Sequence, residues 1–423
     1  MAPHENDPPQ NYPSPPGSDS PLRISRRRLL GGAIGGAGAL ALGSLLGACE
    51  PLPSSGFVDP HRWWSTKHPT GTLDFANWPY YIDRTRDNSH PSLDKFTGAT
   101  GIDVNYYRPI RDVETFVERI APALAAGKPT GYDIIVVTNG PQLTRLIRSN
   151  WLVVLDRSRL TTFDSYASNL AKDPPWDPGN RYTVPWQSGL TGMAYRPEAV
   201  EALGRRPSSI QDLWDPALKG RVGMLRDLMD LGSFGLLAIG VDPATSTQED
   251  WRKASARLAD QRDDGILVRH FDQGYLHALQ RGDIWLTQAW SGDIFQSNLT
   301  GHPELRFVVP EEGAMLWTDN MMIPRHAEHP ADAIAYMDFV YRPEVAAMIA
   351  DWVGYITPVP AAQPLIAHRY HDEAVAQSPL VFPNTAPDAR EVTSRFLIYP
   401  VFSSDYDERA WFSTFGSVLQ SGE

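Results

Sequence analysis

The segment that decides the fold is Ala314-Met315-Leu316-Trp317-Thr318-Asp319-Asn320-Met321-Met322-Ile323-Pro324. Its apolar run predicts a buried strand, and the carboxylate of Asp319 follows two residues after the indole of Trp317. An indole face attracts an ammonium group by about 0.5 to 2 kcal/mol, and a carboxylate adds the full opposite charge. The pair therefore suggests a cation site, although one such pair alone is more typical of a core tryptophan beside a strand-end aspartate.

The same combination of aromatic and acidic side chains recurs along the chain. The further segments are Trp78-Pro79-Tyr80-Tyr81, Asp227-Leu228-Met229-Asp230, Trp290-Ser291-Gly292-Asp293 and Gly354-Tyr355. This repetition favours a single cleft on which several aromatic rings and carboxylates converge.

Length and charge restrict the class of protein. The chain has 423 residues, 42% of them hydrophobic, which predicts two domains with sizeable cores. Its formal charge of -12 argues against a nucleic-acid partner and suits small cations. The chain contains no H-E-x-x-H, G-x-x-x-x-G-K-[ST] or G-x-S-x-G motif. We therefore expect no enzymatic activity, no cofactor and no metal site.

The N-terminal part carries targeting signals. Residues 1–22 are rich in proline and predict a disordered tail. Residues 23–48 resemble a twin-arginine signal peptide, in which Arg26 and Arg27 precede a Gly/Ala/Leu run. A transmembrane anchor is the alternative, but the small residues of the run favour a signal peptide.

The single cysteine has a role in this interpretation. Cys49 follows Leu46-Gly47-Ala48, which resembles a lipoprotein cleavage box. We expect lipid attached to Cys49 to hold the exported protein at the outer face of the membrane or in the periplasmic space. Residues 49–70 then predict a lipidated tether.

The folded part begins with a βαβαβ pattern. Its predicted strands are 71–78, 102–106 and 132–137, and its predicted helices are 92–100 and 113–126. Ligands of open parallel sheets lie beyond the carboxyl ends of the strands, where Trp78 and Thr138 fall.

Several longer segments then carry a family resemblance. They are NWPYYID, KFTGATGIDVNY, ALAAGKPTGYDIIVVT, YTVPWQSGLTGMAY, DLWDPALKGRVGML, GDIWLTQAWSGD, EEGAMLWTDNMMIP and VGYITPVPAA. Between residue 71 and about residue 365 the chain resembles the extracellular solute-binding proteins of polyamine ABC transporters, the spermidine/putrescine-binding group. The resemblance is weaker from about residue 366.

The resemblance implies an α/β, two-lobed periplasmic-binding-protein fold of type II with a ligand cleft between the lobes. The chain would cross between the lobes twice, at 182–189 and at 317–324. Lobe 1 would comprise 71–186 and 319–352. Lobe 2 would comprise 187–318 and 353–423.

The resemblance also implies the ligand-binding residues. These are the aromatic Trp78, Tyr81, Trp290, Trp317 and Tyr355, the acidic Asp227, Asp230 and Asp319, and Thr138, which stands where the family has a serine. The flat rings suit the methylenes of a polyamine and the carboxylates suit its ammonium groups. Helix capping is the alternative role for Asp230 and, less strongly, for Asp227.

Three departures from the family pattern leave the choice between diamine and triamine open. Pro79 replaces a polar residue, Gly140 replaces an aromatic one, and Asp230 is one methylene shorter than the glutamate often found there. The preference for a cation does not depend on these positions.

The resulting hypothesis is a substrate-binding component of an ABC importer. It would bind putrescine or spermidine outside the membrane, deliver it to the permease subunits and act as a monomer. The alternatives are a receptor of the same fold for ferric ion, thiamine or another organic cation, and a surface enzyme or adhesin on the same scaffold.

Overall fold

The computed structural model describes residues 60–272, 274–370, 372–383, 389–402 and 404–420. The predicted N-terminal tail, the signal peptide with Arg26 and Arg27, and the lipidation site Cys49 lie outside the described residues. No helix in the described ranges combines the length and the apolar character needed to cross a membrane.

The strands of the described chain form one mixed sheet. They are β1 Thr72–Ala76, β2 Asp103–Tyr107, β3 Ile134–Thr138, β4 Thr183–Tyr195, β5 Val222–Leu225, β6 Leu267–Phe271, β7 Leu286–Trp290, β8 Arg306–Val308, β9 Ala314–Met322 and β10 Phe396–Leu397. Their order is β2-β1-β3-β9-β4-β7-β5-β6, with β10 on β9 and β8 on β4. The β1–β3 group and the β5–β7 group are parallel, whereas β4 and β9 pair antiparallel with their neighbours in this order.

Helices cover both groups of parallel strands. They are α1 Pro60–Trp64, α2 Pro91–Thr100, α3 Val113–Ala125, α4 Pro141–Arg148, α5 Thr161–Tyr166, α6 Pro197–Leu203, α7 Leu228–Leu237, α8 Gln248–Asp263, α9 Tyr275–Arg281, α10 Ser291–Leu299, α11 Pro330–Phe339, α12 Pro343–Val353, α13 Gln363–Leu365, α14 Glu373–Ala376, α15 Ala389–Thr393 and α16 Asp405–Gln420. The predicted elements of the βαβαβ pattern all form. The spacing of apolar residues explains α3, which begins where the Asp112 side chain accepts the Thr115 amide at 2.7 Å.

Two long strands join the two halves of the molecule. The β4 residues Thr183–Gln187 pair with the β9 residues Asp319–Met322, which also pair with β3 of lobe 1. Further along, β4 pairs with β7 and β8 of lobe 2. The ladder between β4 and β9 shifts by one residue between Pro185 and Gln187, where the chain passes from one lobe to the other. Both predicted crossing segments contain parts of these two strands.

Each lobe has its own core. In lobe 1 the rings of Phe75, Phe96 and Tyr336 pack with centroid distances of 5.1 Å. In lobe 2 the rings of Trp251 and Trp411 lie 5.3 Å apart. Burial of these large rings, together with the many aliphatic side chains around them, stabilises each lobe.

Two predicted boundaries are wrong. The tether assigned to 49–70 extends too far, because α1 belongs to the folded lobe: Trp64 is 0% exposed and its indole donates to the Val154 carbonyl at 2.8 Å. The assignment of all of 353–423 to lobe 2 is also wrong. Apolar residues between Val359 and Phe382 pack in the core of lobe 1, Tyr355 contacts the cores of both lobes, and the segment from about residue 396 packs on lobe 2.

Candidate functional site

Asp319 lies where β9 leaves lobe 2 and enters lobe 1. Its backbone pairs with Thr138 at the end of β3, and the Thr138 hydroxyl donates to the Asp319 carboxylate at 2.6 Å. The residue is 5% exposed, and this burial raises the pKa of Asp319 to about 6. Because side chains alternate along a strand, Trp317 lies on the same face of β9 as Asp319.

Three aromatic rings surround this position. The Tyr355 ring lies 5.3 Å from the Trp317 ring and 5.7 Å from the Tyr81 ring, measured between centroids. All three side chains are at least half-buried. Tyr81 comes from lobe 1, whereas Trp317 packs in the core of lobe 2, so the rings meet at the boundary between the lobes.

Two glycines make this aromatic cluster possible. A Cβ atom at Gly189 would overlap the indole of Trp317, and one at Gly292 would overlap the ring of Tyr355. Gly189 is the β4 partner of Trp317, so the missing side chain leaves room for the indole. Gly292 lies in the first turn of α10, and the Tyr355 ring rests directly on that turn.

Asp293 brings a second carboxylate to the cluster. It accepts hydrogen bonds from the hydroxyls of Tyr355 at 3.0 Å and Tyr275 at 2.7 Å. Burial raises the pKa of Asp293. The site predicted by resemblance does not include Asp293, although its segment Trp290-Ser291-Gly292-Asp293 repeats the aromatic and acidic pattern. Tyr275 is not among the residues that the sequence pattern marked for the site.

Asp230 holds a third carboxylate deeper in lobe 2. The Trp290 indole donates to one of its oxygens at 3.0 Å, and the Tyr399 hydroxyl donates to the other. Asp230 is 2% exposed, and burial together with the nearby charge of Asp227 raises its pKa to about 7. The structure thus brings together Asp230 and Trp290 as predicted, and it adds Tyr399.

Asp227 and Trp78 have different surroundings. Asp227 is exposed and caps α7, because its side chain accepts the amides of Met229 and Asp230 at 2.9 Å each. The capping role considered mainly for Asp230 therefore falls on Asp227. Trp78 is partly buried and packs against apolar residues of lobe 1.

The charges of the three buried or half-buried acids are not balanced by the protein. Within the described part of the chain, no Lys, Arg or His side chain forms an ion pair with Asp230, Asp293 or Asp319. An unpaired carboxylate removed from water is unfavourable by several kcal/mol. An arrangement of acids and aromatic faces without a basic partner is suited to a ligand that carries positive charge.

Another acidic group lies in lobe 1, away from the cleft. Ligand atoms of Asp74, Asp133 and His329 all lie within 4.8 Å of one another. The Asp133 oxygens accept the backbone amides of Asp74 and His329 at 2.9 and 2.8 Å. These hydrogen bonds give the group a structural role, which is to join the start of β3 to β1 and to the turn before α11.

A mixed α/β fold of two lobes, joined by two long strands around a cleft, defines a two-lobed solute-binding protein. The chain belongs to the family described as bacterial extracellular solute-binding protein, whose model matches residues 92–383. It is the solute-binding component of an ABC transporter and has no enzymatic activity. Its partners are therefore a small solute and a membrane permease, and it acts outside the cytoplasm.

Known proteins support the family and the fold. The chain is 30% identical over 281 residues to a putrescine/agmatine-binding protein of Pseudomonas aeruginosa, covering 63% of this chain and 75% of that one. It is 28% identical over 300 residues to the spermidine/putrescine-binding periplasmic protein of Escherichia coli K12, covering 70% and 80%.

The crystal structure of a spermidine/putrescine transporter substrate-binding protein from Streptococcus pneumoniae superposes with a TM-score of 0.68 at 22% identity. The match covers 84% of this chain and all of that one. The predicted fold class is confirmed.

Proposed function

We propose that this solute-binding protein captures an aliphatic polyamine outside the membrane and delivers it to its ABC permease. The observation that carries the proposal is a set of acids with no basic partner among the described residues, beside three aromatic rings that contact one another edge to face or at a tilt. An aliphatic chain with an ammonium group at each end matches such a site, because the methylenes lie on the rings and the ammonium groups meet the carboxylates.

Asp319 and Asp293 are the proposed partners of the two ligand ends. Both acids lie close to Tyr355. Asp293 accepts a hydrogen bond from the Tyr355 hydroxyl, and Asp319 lies two residues from Trp317, whose ring contacts the Tyr355 ring. The negative charges of both acids raise the pKa of Tyr355, after the larger effect of burial. A diamine lying along Tyr81, Trp317 and Tyr355 would place one ammonium near each carboxylate.

The relatives support this choice of ligand. The names of the proteins from Pseudomonas aeruginosa and Escherichia coli describe binding of putrescine, agmatine or spermidine. These ligands share positively charged amino or guanidino groups at the ends of a short aliphatic chain. Trp78, Thr138 and Asp227 remain proposed contacts: Trp78 with the methylenes, Thr138 through Asp319, and Asp227 at the rim of the cleft.

Calorimetry with a panel of amines tests the proposal. Putrescine, cadaverine, agmatine and spermidine are titrated into the ligand-free protein, with 1,4-butanediol as the control that has the length of putrescine but no charge. At least one amine should bind stoichiometrically and the diol should not bind. Absence of binding by all four amines, or equal binding of the diol, would contradict the proposal.

We also propose that lipid on Cys49 holds the protein at the outer face of the cell membrane after export through the twin-arginine route. The support is the Arg26-Arg27 pair and the Leu46-Gly47-Ala48 segment that precedes the single cysteine. Cys49→Ala should release the protein from the membrane fraction, and Arg26→Lys with Arg27→Lys should block export because the pair is read as guanidinium groups. Membrane retention of Cys49→Ala would indicate an uncleaved anchor.

A further inference from the structure

The C-terminal segment contributes a buried tyrosine that bonds the carboxylate of Asp230. Residues 396–420 lie beyond the part of the chain that matches the family model, which ends at residue 383. Helix α16 packs on α7 and α8, with Trp411 and Phe415 fully buried. This anchoring holds Tyr399 against Asp230 at the N-terminal end of α7.

The contacts of Asp230 lie within a single lobe. Its hydrogen-bond donors Trp290 and Tyr399 both belong to lobe 2 and move with it. Opening of the cleft would therefore leave Asp230 covered. Asp293 differs, because one of its donors is Tyr355, which follows α12 of lobe 1, so separation of the lobes uncovers that oxygen.

We propose that Tyr399 is a specificity-determining residue that closes Asp230 off from the cleft and limits the ligand to two ammonium groups. A third ammonium would have to displace the Tyr399 hydroxyl and pass its ring. The short side chain of Asp230 adds to this effect, because its carboxylate stays close to α7 and behind the two aromatic donors. The inference rests on the proposed function and refines it to diamines in preference to triamines.

Affinities for putrescine and spermidine, measured by calorimetry on the full mature protein, test the inference. The unaltered protein should bind putrescine more tightly than spermidine. Tyr399→Ala should raise the ratio of spermidine to putrescine affinity by about tenfold or more, since it frees the carboxylate and opens space for an aminopropyl group. Tyr399→Phe should change the ratio less, because the ring remains.

Further variants separate specificity from folding. Tyr399→Leu keeps more apolar volume in the lobe 2 core and should raise the ratio even if Tyr399→Ala fails to fold. Adding Asp230→Asn to Tyr399→Leu should abolish the gain. Tyr341→Leu is the matched control, since Tyr341 is a buried tyrosine whose hydroxyl donates to the Pro185 carbonyl in lobe 1 at 2.5 Å, and it should not change the ratio.

The outcomes distinguish this inference from the proposed function. If the unaltered protein binds neither amine, the proposed function fails. If it binds putrescine but prefers spermidine, or if the ratio stays constant in Tyr399→Leu and Tyr399→Ala, only the role of Tyr399 is wrong.

Discussion

Replacing Asp319 by asparagine should have opposite effects on stability and on ligand binding. The substitution keeps the shape of the side chain, and the amide oxygen can still accept the Thr138 hydroxyl. It removes a charge whose burial raises the pKa from 3.8 to about 6. Keeping this carboxylate charged in the folded protein costs at most about 3 kcal/mol at pH 8, so the ligand-free variant should unfold at a higher temperature.

The same substitution should weaken the binding of a diamine. An ammonium group in the closed cleft would lose its opposite charge and meet only dipoles, which we expect to weaken binding by about 2 to 5 kcal/mol. The dissociation constant should rise about 30-fold to several thousand-fold. Trp317→Leu keeps an apolar wall and should lose only about 1 to 2 kcal/mol.

Calorimetry with putrescine and thermal unfolding at pH 8 measure the two effects. Asp177→Asn is the matched control, because Asp177 is a buried aspartate that accepts the backbone amides of Tyr182 and Thr183 at 2.9 and 2.8 Å. It should lower the unfolding temperature and change affinity far less. If Asp319→Asn binds as tightly as the unaltered protein and unfolds at a lower temperature, Asp319 is a structural residue and the polyamine site is wrong.

Three further predictions follow from the geometry. Acidification from pH 8 to pH 5 should weaken putrescine binding, by up to about tenfold per pH unit for each carboxyl that must lose a proton. It should also raise the unfolding temperature of the ligand-free protein, because the pKa of Asp319 lies at about 6 in the folded state and the stability from this group is lost as pH rises through that value. Constant affinity and constant stability across this range would contradict the prediction. Gly292→Ala should lower the affinity for putrescine at least tenfold, because the new methyl group displaces the Tyr355 ring. Gly98→Ala is the control, since its methyl group meets open space on a helix and should leave the affinity unchanged. Equal calorimetric affinities of Gly292→Ala and the unaltered protein would contradict the prediction. Arg148→Ala should weaken binding about two- to fivefold at low salt and less at high salt, because Arg148 of lobe 1 contacts Glu408 of lobe 2 at 3.5 Å. A loss of affinity that is the same at low and high salt would argue against a role for this ion pair.

The sequence predicted the elements whose pattern is local. Continuous apolar runs predict the strands β9 and β3, and the pleat of β9 then places Trp317 and Asp319 on one face. The apolar spacing over 113–126 predicts α3, and the structure adds the Asp112 cap at its start. These features need only neighbouring residues, so the period of the pattern is sufficient to predict them.

Contacts between distant segments could not be predicted in this way. Tyr399 and Asp230 are 169 residues apart, and Tyr355 and Asp293 are 62 apart. These pairs depend on which lobe each segment packs against, and the tail from about residue 353 divides between both lobes. The N-terminal boundary was missed for a related reason, because Trp64 follows a polar, proline-containing stretch and its indole bonds Val154, which lies 90 residues later in the chain.

The acids of the cleft connect stability to function. Folding alone does not favour placing Asp293 and Asp319 in a largely buried region where no described side chain is a basic partner, because each charge would be stabilised better in water. A cation compensates these charges most strongly when the lobes close around it and exclude water. Its affinity for the closed form therefore exceeds that for the open form, and this difference is the condition for a ligand to drive closure. An uncharged molecule of the same length lacks that difference, so the electrostatics of the site select both the ligand and the closed form that it stabilises.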